Sequence, residues 1–189
     1  MRRRGLLAVA GVLLFAALFV AGVTGPGVAD GTAGDDSLRG GSGIDGIRGH
    51  AGDDTLYGGG APDGLFGNAG DDHLYTGGVG GTAQGGPGAD DLIGGYGLDR
   101  LDGGPGADDL SGAPGDDRLE GGADDDVLEG GKGGDSLFGE SGRDELRGGE
   151  GDDFIYAEDG VRETVNCGPG DDDTASADEF DRVVGCEGP

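Results

Sequence analysis

A nine-residue unit, G-G-x-G-x-D-x-L-x, repeats fourteen times without insertion or deletion from residue 31 to residue 156. The first position is Gly in thirteen units, the sixth is Asp in thirteen, and the eighth is Leu or Ile in thirteen. All the exceptions at these positions fall in one unit, TGGVGGTAQ at 76–84, which carries Thr76, Gly81 and Ala83 instead. A period this strict is typical of a solenoid, in which one small unit stacks on the next.

Each unit combines a glycine-rich turn with a very short strand. Glycine at positions 1, 2 and 4 permits positive φ and close backbone approach, and the segment x-L-x points its Leu to one face of a strand. Two units make one 18-residue coil, and strands of successive coils stack in parallel about 4.8 Å apart. We therefore predict an all-β fold, a parallel β-roll (β-solenoid) of about seven 18-residue coils with a thin Leu core.

The chain cannot fold by apolar burial alone. Glycine makes up 50 of its 189 residues, and its formal net charge is −27. Ordering each residue costs about 1–2 kcal/mol of backbone entropy, and glycine loses the most freedom. Either the repeats are disordered or a cation supplies the missing free energy, and the fixed Asp spacing favours the cation. The charge also excludes nucleic acid as a partner.

The donor types in the turn select the metal. An Asp at position 6 and inward-pointing carbonyl groups offer only hard oxygen ligands, which calcium takes in sets of six to eight. Magnesium demands a tighter octahedron and keeps its waters, whereas zinc and copper prefer His and Cys, which the repeats nearly lack. The residues alone therefore predict calcium as the cofactor.

The repeats resemble the RTX, or hemolysin-type, calcium-binding nonapeptides over residues 31–156. The resemblance implies a parallel β-roll with calcium between successive turns, held by position-6 Asp side chains and turn carbonyl groups. A further unit, CGPGDDDTA at 167–175, adds one Asp to this set. The predicted metal ligands are Asp36, Asp45, Asp54, Asp63, Asp72, Asp90, Asp99, Asp108, Asp117, Asp126, Asp135, Asp144, Asp153 and Asp172.

Alternate units face opposite edges of the predicted roll. One edge carries an unbroken row from Asp36 to Asp144, and the other is interrupted by Gly81. We expect the two gaps that flank Gly81 to bind calcium weakly or not at all. The alternative is a local slip of the register, with a bulge formed by the surrounding glycines.

Residues 1–29 are predicted to be a signal peptide. Three arginines, Arg2–Arg4, precede the apolar stretch 6–23, and Gly27-Val28-Ala29 offers a cleavage site after Ala29. The alternative is an uncleaved membrane anchor, since about 18 apolar residues just suffice to span. Either way the repeats are expected outside the cytoplasm, in a secreted or extracellular protein. RTX proteins exported by type I secretion usually lack such a signal, which argues against a toxin.

The β-roll is assigned to residues 30–156 and a capping segment to 157–189. The cap would cover the exposed Leu face of the last coil; an independent binding function is the alternative. The only two cysteines, Cys167 and Cys186, lie in this segment, and in an exported protein such a pair predicts a disulfide.

The sequence predicts no enzyme. It contains no G-x-S-x-G or H-E-x-x-H motif, and its acidic pairs recur in every turn, so no catalytic dyad stands out. Tyr57 and Tyr75 lie 18 residues apart and predict an aromatic ladder on one sheet, with Phe66 at the matching place on the other. The alternative for these rings is a patch that binds carbohydrate or a cell-surface partner.

Taken together, these observations predict a secreted calcium-binding repeat protein that folds on binding several ions, as a structural or interaction module. A calcium buffer or sensor is one competing role. An accessory calcium-binding component of an exported hydrolase or toxin system is another.

Overall fold

Short parallel strands make up the whole fold. The computed structural model describes residues 27–187, so the predicted signal segment lies outside it except for residues 27–29. Each of the fourteen nonapeptides forms one strand. The Leu side chain points inward between two outward-pointing neighbours, and the glycines let the chain turn before the next strand begins.

The strands assemble into two sheets of nine, each with strand neighbours 18 to 20 residues apart in the sequence. The first sheet, in spatial order, contains β1 (Val28–Asp30), β3 (Gly46–Ala51), β5 (Gly64–Ala69), β7 (Gly81–Gln84), β9 (Asp99–Pro105), β11 (Arg118–Ala123), β13 (Ser136–Ser141), β15 (Phe154–Ala157) and β17 (Thr174–Ala177). The second contains β2 (Ser37–Arg39), β4 (Thr55–Gly59), β6 (His73–Gly77), β8 (Asp91–Gly95), β10 (Asp109–Pro114), β12 (Val127–Lys132), β14 (Glu145–Glu150), β16 (Thr164–Asn166) and β18 (Arg182–Val184).

The parallel β-solenoid is confirmed, but it has nine coils in the described residues rather than about seven. The fourteen nonapeptides account for β2 to β15. Strand β1 precedes them, and β16, β17 and β18 follow them. The predicted capping segment therefore continues both sheets, because it keeps an apolar residue pointing inward on β16 and β17 even though its turns lack the G-G-x-G pattern.

The core is a single file of aliphatic side chains from each sheet, lying between the two layers. Leu or Ile at position 8 is fully buried in every unit that has one, and Ala83 takes this place on β7. Val165 extends the file into the C-terminal coils. One aliphatic residue per strand is a thin core, so contacts between successive coils carry much of the stability.

The turns require glycine where two coils approach each other closely. Gly106 has a φ of 140°, and a Cβ atom there would lie only 1.7 Å from the carbonyl oxygen of Gly88 in the preceding coil. Asp124, which replaces a turn glycine, adopts a positive φ of 82°, a conformation that Asp tolerates better than most residues.

Aromatic side chains stack along the outer faces. The rings of Tyr57 and Tyr75 lie 4.9 Å apart at an interplanar angle of 9°, which confirms the cross-strand pair. Phe66 lies on the other sheet, where the Arg48 guanidinium is 5.6 Å from its ring. These contacts explain the aromatic positions by sheet stability, and the carbohydrate-binding patch stays a prediction.

The C-terminal coils are tied together by the predicted disulfide. Cys167 is bonded to Cys186, and both lie against the end of the core. Within residues 27–187, no helix is long and apolar enough to cross a membrane.

Candidate metal centres along the turn edges

The fold gathers the position-6 aspartates into two rows on opposite edges, as the alternation of units predicts. Each of these side chains is almost completely buried, with at most 4 % of its surface exposed. The first Asp row contains Asp36, Asp54, Asp72, Asp90, Asp108, Asp126 and Asp144. The second Asp row contains Asp45, Asp63, Asp99, Asp117, Asp135 and Asp153.

One carboxylate oxygen of each aspartate links neighbouring coils. The backbone N–H of Asp36 donates to Oδ1 of Asp54 over 2.7 Å, and the N–H of Asp54 donates to Oδ1 of Asp72 over 2.7 Å. The same bond recurs down both rows at a spacing of 18 residues. Because this bond repeats from coil to coil, the rows hold the coils in register.

The second carboxylate oxygen has no hydrogen-bond partner although it is buried. Leaving a buried polar atom unsatisfied costs about 1–3 kcal/mol, and more when the group is charged, so a recurring orphan indicates a missing ligand. The unpartnered Oδ2 atoms belong to Asp54, Asp63, Asp72, Asp90, Asp99, Asp108, Asp117, Asp126, Asp135, Asp144, Asp153 and Asp173.

A backbone carbonyl group lies beside most of these oxygens at the position-1 glycine. A Cβ atom on Gly49 would lie 2.1 Å from Oδ2 of Asp54 and 2.9 Å from the carbonyl oxygen of Gly67 in the next coil. The same pair of contacts surrounds Gly103, at 2.4 Å from Oδ2 of Asp108 and 2.7 Å from the Gly121 carbonyl oxygen. Position 1 is therefore glycine because carboxylate and carbonyl oxygens converge where a side chain would begin.

These oxygens fit a hard divalent cation. Each turn offers one carboxylate oxygen and nearby carbonyl oxygens, which is the donor set that calcium accepts in flexible geometry. Among the described residues, no three acidic, His or Cys side chains converge on one point. Every such centre would therefore have to be completed by backbone oxygens, as a glycine-rich turn allows.

The buried carboxyl groups resist ionisation without a cation. Burial raises the pKa of Asp126 to about 8 and the pKa values of Asp90 and Asp117 to about 7. The backbone N–H that donates to each group opposes this shift, and the neighbouring carboxylates of the same row add to it. A cation beside Oδ2 would favour the ionised form and reverse the shift.

The interrupted unit keeps its register and replaces the carboxylate with a hydroxyl group. Ala83 on β7 pairs with Leu65 and Leu101 at a spacing of 18 residues on both sides, so the slip considered above does not occur. Thr76, fully buried at position 1, places its Oγ1 atom 2.6 Å from the Gly94 carbonyl oxygen and 2.7 Å from Oδ1 of Asp99. The hydroxyl group bridges the coils where Gly81 offers no carboxylate.

The first aspartate of each row is closed by its own turn. The N–H and hydroxyl groups of Thr32 both donate to Oδ2 of Asp36, over 2.5 and 2.9 Å. The N–H of Gly41 donates to Oδ2 of Asp45 over 2.7 Å. These two predicted ligands thus differ from those deeper in the rows, whose Oδ2 atoms have no partner: both oxygens of Asp45 accept hydrogen bonds, and at Asp36 the buried oxygen without a partner is Oδ1.

The structure places Asp173, rather than the predicted Asp172, at the end of the second Asp row. Asp173 is fully buried and its Oδ1 accepts the N–H of Asp153 over 2.9 Å, whereas Asp172 is exposed. The chain contains two extra residues between these coils, which shift the pairing to Phe154 with Thr174. The sequence feature that identifies the row member is the inward-pointing apolar residue two positions after each buried acid, which here is Ala175.

The same signal identifies two further acids that the nonapeptide pattern missed. Glu163 precedes Val165 by two residues and Asp181 precedes Val183 by two, and both acids continue the first Asp row. Position-5 aspartates form an additional, exposed row. Here the donor lies in the following coil instead of the preceding one: Oδ1 of Asp53, for example, accepts the N–H of Asp71 over 3.0 Å.

Comparison with protein families gives one match. The model of the RTX calcium-binding nonapeptide repeat (4 copies) matches six overlapping segments, which are 30–65, 51–79, 84–119, 102–137, 111–146 and 129–161. Together they cover 30–79 and 84–161, more than half of the chain, and the gap between them falls in the interrupted unit. A search of curated proteins finds no match.

Proposed function

We propose, given that the chain belongs to the RTX calcium-binding nonapeptide repeat family, that its role is to bind several calcium ions along both Asp rows and to fold as they bind. The folded solenoid then serves as a structural or interaction module and not as an enzyme. Proteins of this family bind calcium, so the proposal concerns the residues used here and the consequence of binding.

The observation that carries the proposal is the repeated, buried and unpartnered Oδ2 atom. In most interior turns it lies beside a position-1 glycine and a carbonyl oxygen of the next coil. Asp54 with Gly67, and Asp108 with Gly121, illustrate the oxygens that would hold one ion. Asp173 takes the place assigned to Asp172, while Asp36 and Asp45 contribute less because their own turns occupy Oδ2.

Coupling of binding to folding follows from charge and from the thin core. The chain carries a formal net charge of −27, and each row aligns carboxylates at successive coils, so an ionised and unneutralised solenoid repels itself. Bound calcium supplies the opposing positive charge. Because the turns that hold it exist only in the coiled state, binding stabilises that state by RT ln(1 + [Ca²⁺]/Kd) per site.

We place the protein outside the cell, where calcium is abundant. The arginine run and apolar stretch within residues 1–29 support export, and the Cys167–Cys186 disulfide is typical of an oxidising compartment. Strand β1 contains the proposed cleavage point, so cleavage after Ala29 would remove two of its three residues. N-terminal sequencing of the exported protein tests the cleavage point, and a retained apolar segment would favour the membrane anchor.

Isothermal titration calorimetry with matched variants tests the ligand assignment. In the wild type the N–H of Asp90 donates to Oδ1 of Asp108 over 2.8 Å. Asp108→Asn removes the charge of this interior ligand but keeps a side-chain oxygen that can accept the same hydrogen bond. We expect it to bind fewer calcium ions than the wild type. Glu129→Gln removes the same charge from an exposed strand position and should bind as many ions as the wild type. Equal losses in both variants would refute the assignment.

A further inference from the structure

Glu163 is a buried acid whose carboxylate accepts no hydrogen bond from a backbone N–H or from another donor group. It directly precedes β16, outside the last segment that the family model matches, and only 1 % of its surface is exposed. Neither Oε1 nor Oε2 accepts a hydrogen bond. Two unsatisfied oxygens on one buried acid are a larger penalty than the single orphan oxygen of each row aspartate.

The acid lies beside the last nonapeptide aspartate of the first Asp row. Strand β16 pairs with β14 so that Thr164 faces Glu145, which brings Glu163 next to Asp144 at a sequence distance of 19 residues. Oδ2 of Asp144 is likewise buried and unpartnered. The two carboxyl groups lie close enough to interact directly, so both acids face the junction between these coils.

The surroundings add negative charge. Burial raises the pKa of Glu163 to about 9, and the adjacent Asp144 and the nearby carboxylates of Asp159 and Asp181 raise it further. Burial also raises the pKa of Asp144, with Asp159 and Asp125 adding to the shift. These neighbours of the pair are all acidic, and Arg143, which directly precedes Asp144, is paired with Asp125 over 2.8 Å.

The next member of the row shows how the chain closes a turn that needs no ligand. Oδ1 of Asp181 accepts the N–H of Glu163 over 2.9 Å, and its Oδ2 accepts the N–H of Asp178 over 2.9 Å. Both oxygens are satisfied by the backbone. Glu163 lies one coil earlier, and no backbone N–H donates to its carboxylate. This difference between the two acids indicates that the Glu163 carboxylate binds a ligand.

We propose that Asp144 and Glu163 together bind one calcium ion at the junction between the nonapeptide coils and the two C-terminal coils. This inference rests on the proposed function for the identity of the ion. Two carboxylates give the site a higher ligand charge than the one-carboxylate turns, and ligand charge is one of the factors that set calcium affinity. The ion would order β16 and β18, the last two strands of the second sheet.

The test combines calcium stoichiometry with hydrogen exchange on the full-length chain. Glu163→Gln preserves the size of the side chain and lets an amide N–H donate to Asp144, so the coil does not depend on a cation for its packing. We expect this variant to bind one calcium ion fewer than the wild type. Calcium should no longer increase the protection of residues 164–166 and 182–184, while protection of the central strands stays calcium-dependent.

Two controls separate the site from its surroundings. Glu179→Gln removes the same charge from an exposed position nearby and should match the wild type in both readouts. Glu163→Asp keeps the charge and should retain the ion with weaker affinity, which shows that a loss in Glu163→Gln reflects the carboxylate and not misfolding.

The outcomes distinguish this inference from the proposed function. If Glu163→Gln binds as many ions as the wild type, or if its C-terminal strands still gain protection from calcium, the junction site is refuted while the interior sites stand. C-terminal protection that needs no calcium in the wild type would also refute it, because the ion would then not be what orders these coils. A wild type that binds no calcium would refute the proposed function itself.

Discussion

Restoring a carboxylate at Gly81 should create a calcium site only if Thr76 is removed at the same time. In the structure the Thr76 hydroxyl group lies 2.6 Å from the Gly94 carbonyl oxygen and 2.7 Å from Oδ1 of Asp99. It fills the space that an interior turn leaves beside its position-1 glycine. A Cβ atom on Gly81 would come within 3.1 Å of the Thr76 Cβ and 2.9 Å of the Asp63 carbonyl oxygen, so Gly81→Asp alone has no room for its carboxylate.

The magnitudes follow from the contacts that each change removes or adds. Thr76→Gly deletes a buried hydroxyl group and leaves its partners without it, which costs about 1–3 kcal/mol. Adding Gly81→Asp to that background offers a carboxylate to the N–H of Asp63, which lies 3.3 Å from the position of the new Cβ. The restored site adds about 2.7 kcal/mol when calcium is at 100 times its Kd. The two substitutions should therefore be coupled by about 2–3 kcal/mol in calcium.

The assay is a double-mutant cycle of denaturant unfolding, run in saturating calcium at neutral pH and again in chelator at pH 5, where protonation of the row carboxyl groups keeps the solenoid folded. The wild type, both single variants and the double variant are compared, and calorimetry counts the bound ions. We expect favourable coupling in calcium only, with one additional ion in the double variant. Additive effects in calcium, or an additional ion in Gly81→Asp alone, would refute the reasoning about Thr76.

Three further predictions concern the turns, the pH dependence and the disulfide. Gly103→Ala should lose calcium affinity and stability because its Cβ would collide with the Asp108 carboxylate and a carbonyl oxygen. Gly46→Ala has open space around its Cβ and should fold and bind calcium as the wild type does. Thermal melts measure the stability of the two variants, and calorimetry measures their calcium affinity. In chelator, the β structure measured by far-UV circular dichroism should decrease as the pH rises from 5 to 8, because raised pKa values, such as about 8 for Asp126, give stability that is full below the unfolded pKa near 4 and is lost through the folded pKa. Replacing Cys167 and Cys186 by Ser should lower the free energy of unfolding by about 3 kcal/mol in denaturant titrations at saturating calcium.

Each of these predictions can fail in a defined way. Equal behaviour of the two alanine variants would contradict the role given to position-1 glycine. Stability that increases with pH in chelator would show that the carboxyl groups ionise freely in the fold, and saturating calcium should flatten the pH dependence. An unchanged free energy without the disulfide would mean that the C-terminal coils are held by other contacts.

The regular part of the fold could be predicted because one pattern encodes both structure and site. Leu two residues after each Asp sets the inward face, and glycine at position 1 sets the close approach of the coils. Strands β2 to β15, the alternation of the Asp rows and the Cys167–Cys186 pair therefore agree with the structure. The aromatic stack of Tyr57 on Tyr75 follows from the same 18-residue spacing.

The pattern could not predict coils that use different turns. Residues 28–30 and the C-terminal segment lack G-G-x-G yet form β1, β16, β17 and β18, because strand pairing requires only an inward side chain and an open edge. The run of three acids at 171–173 offered several registers, and packing of Ala175 selects Asp173. That Thr76 bridges two coils also depends on atomic contacts that spacing does not contain.

The central claim, that calcium binding by the Asp rows drives folding of the solenoid, is tested most directly by a calcium titration of the purified chain at neutral pH. Far-UV circular dichroism follows the strands, and magnesium serves as the control cation. The account predicts a cooperative transition from coil to β structure with calcium and none with magnesium at the same concentrations. Full β structure in chelator, or an equal response to magnesium, would contradict it.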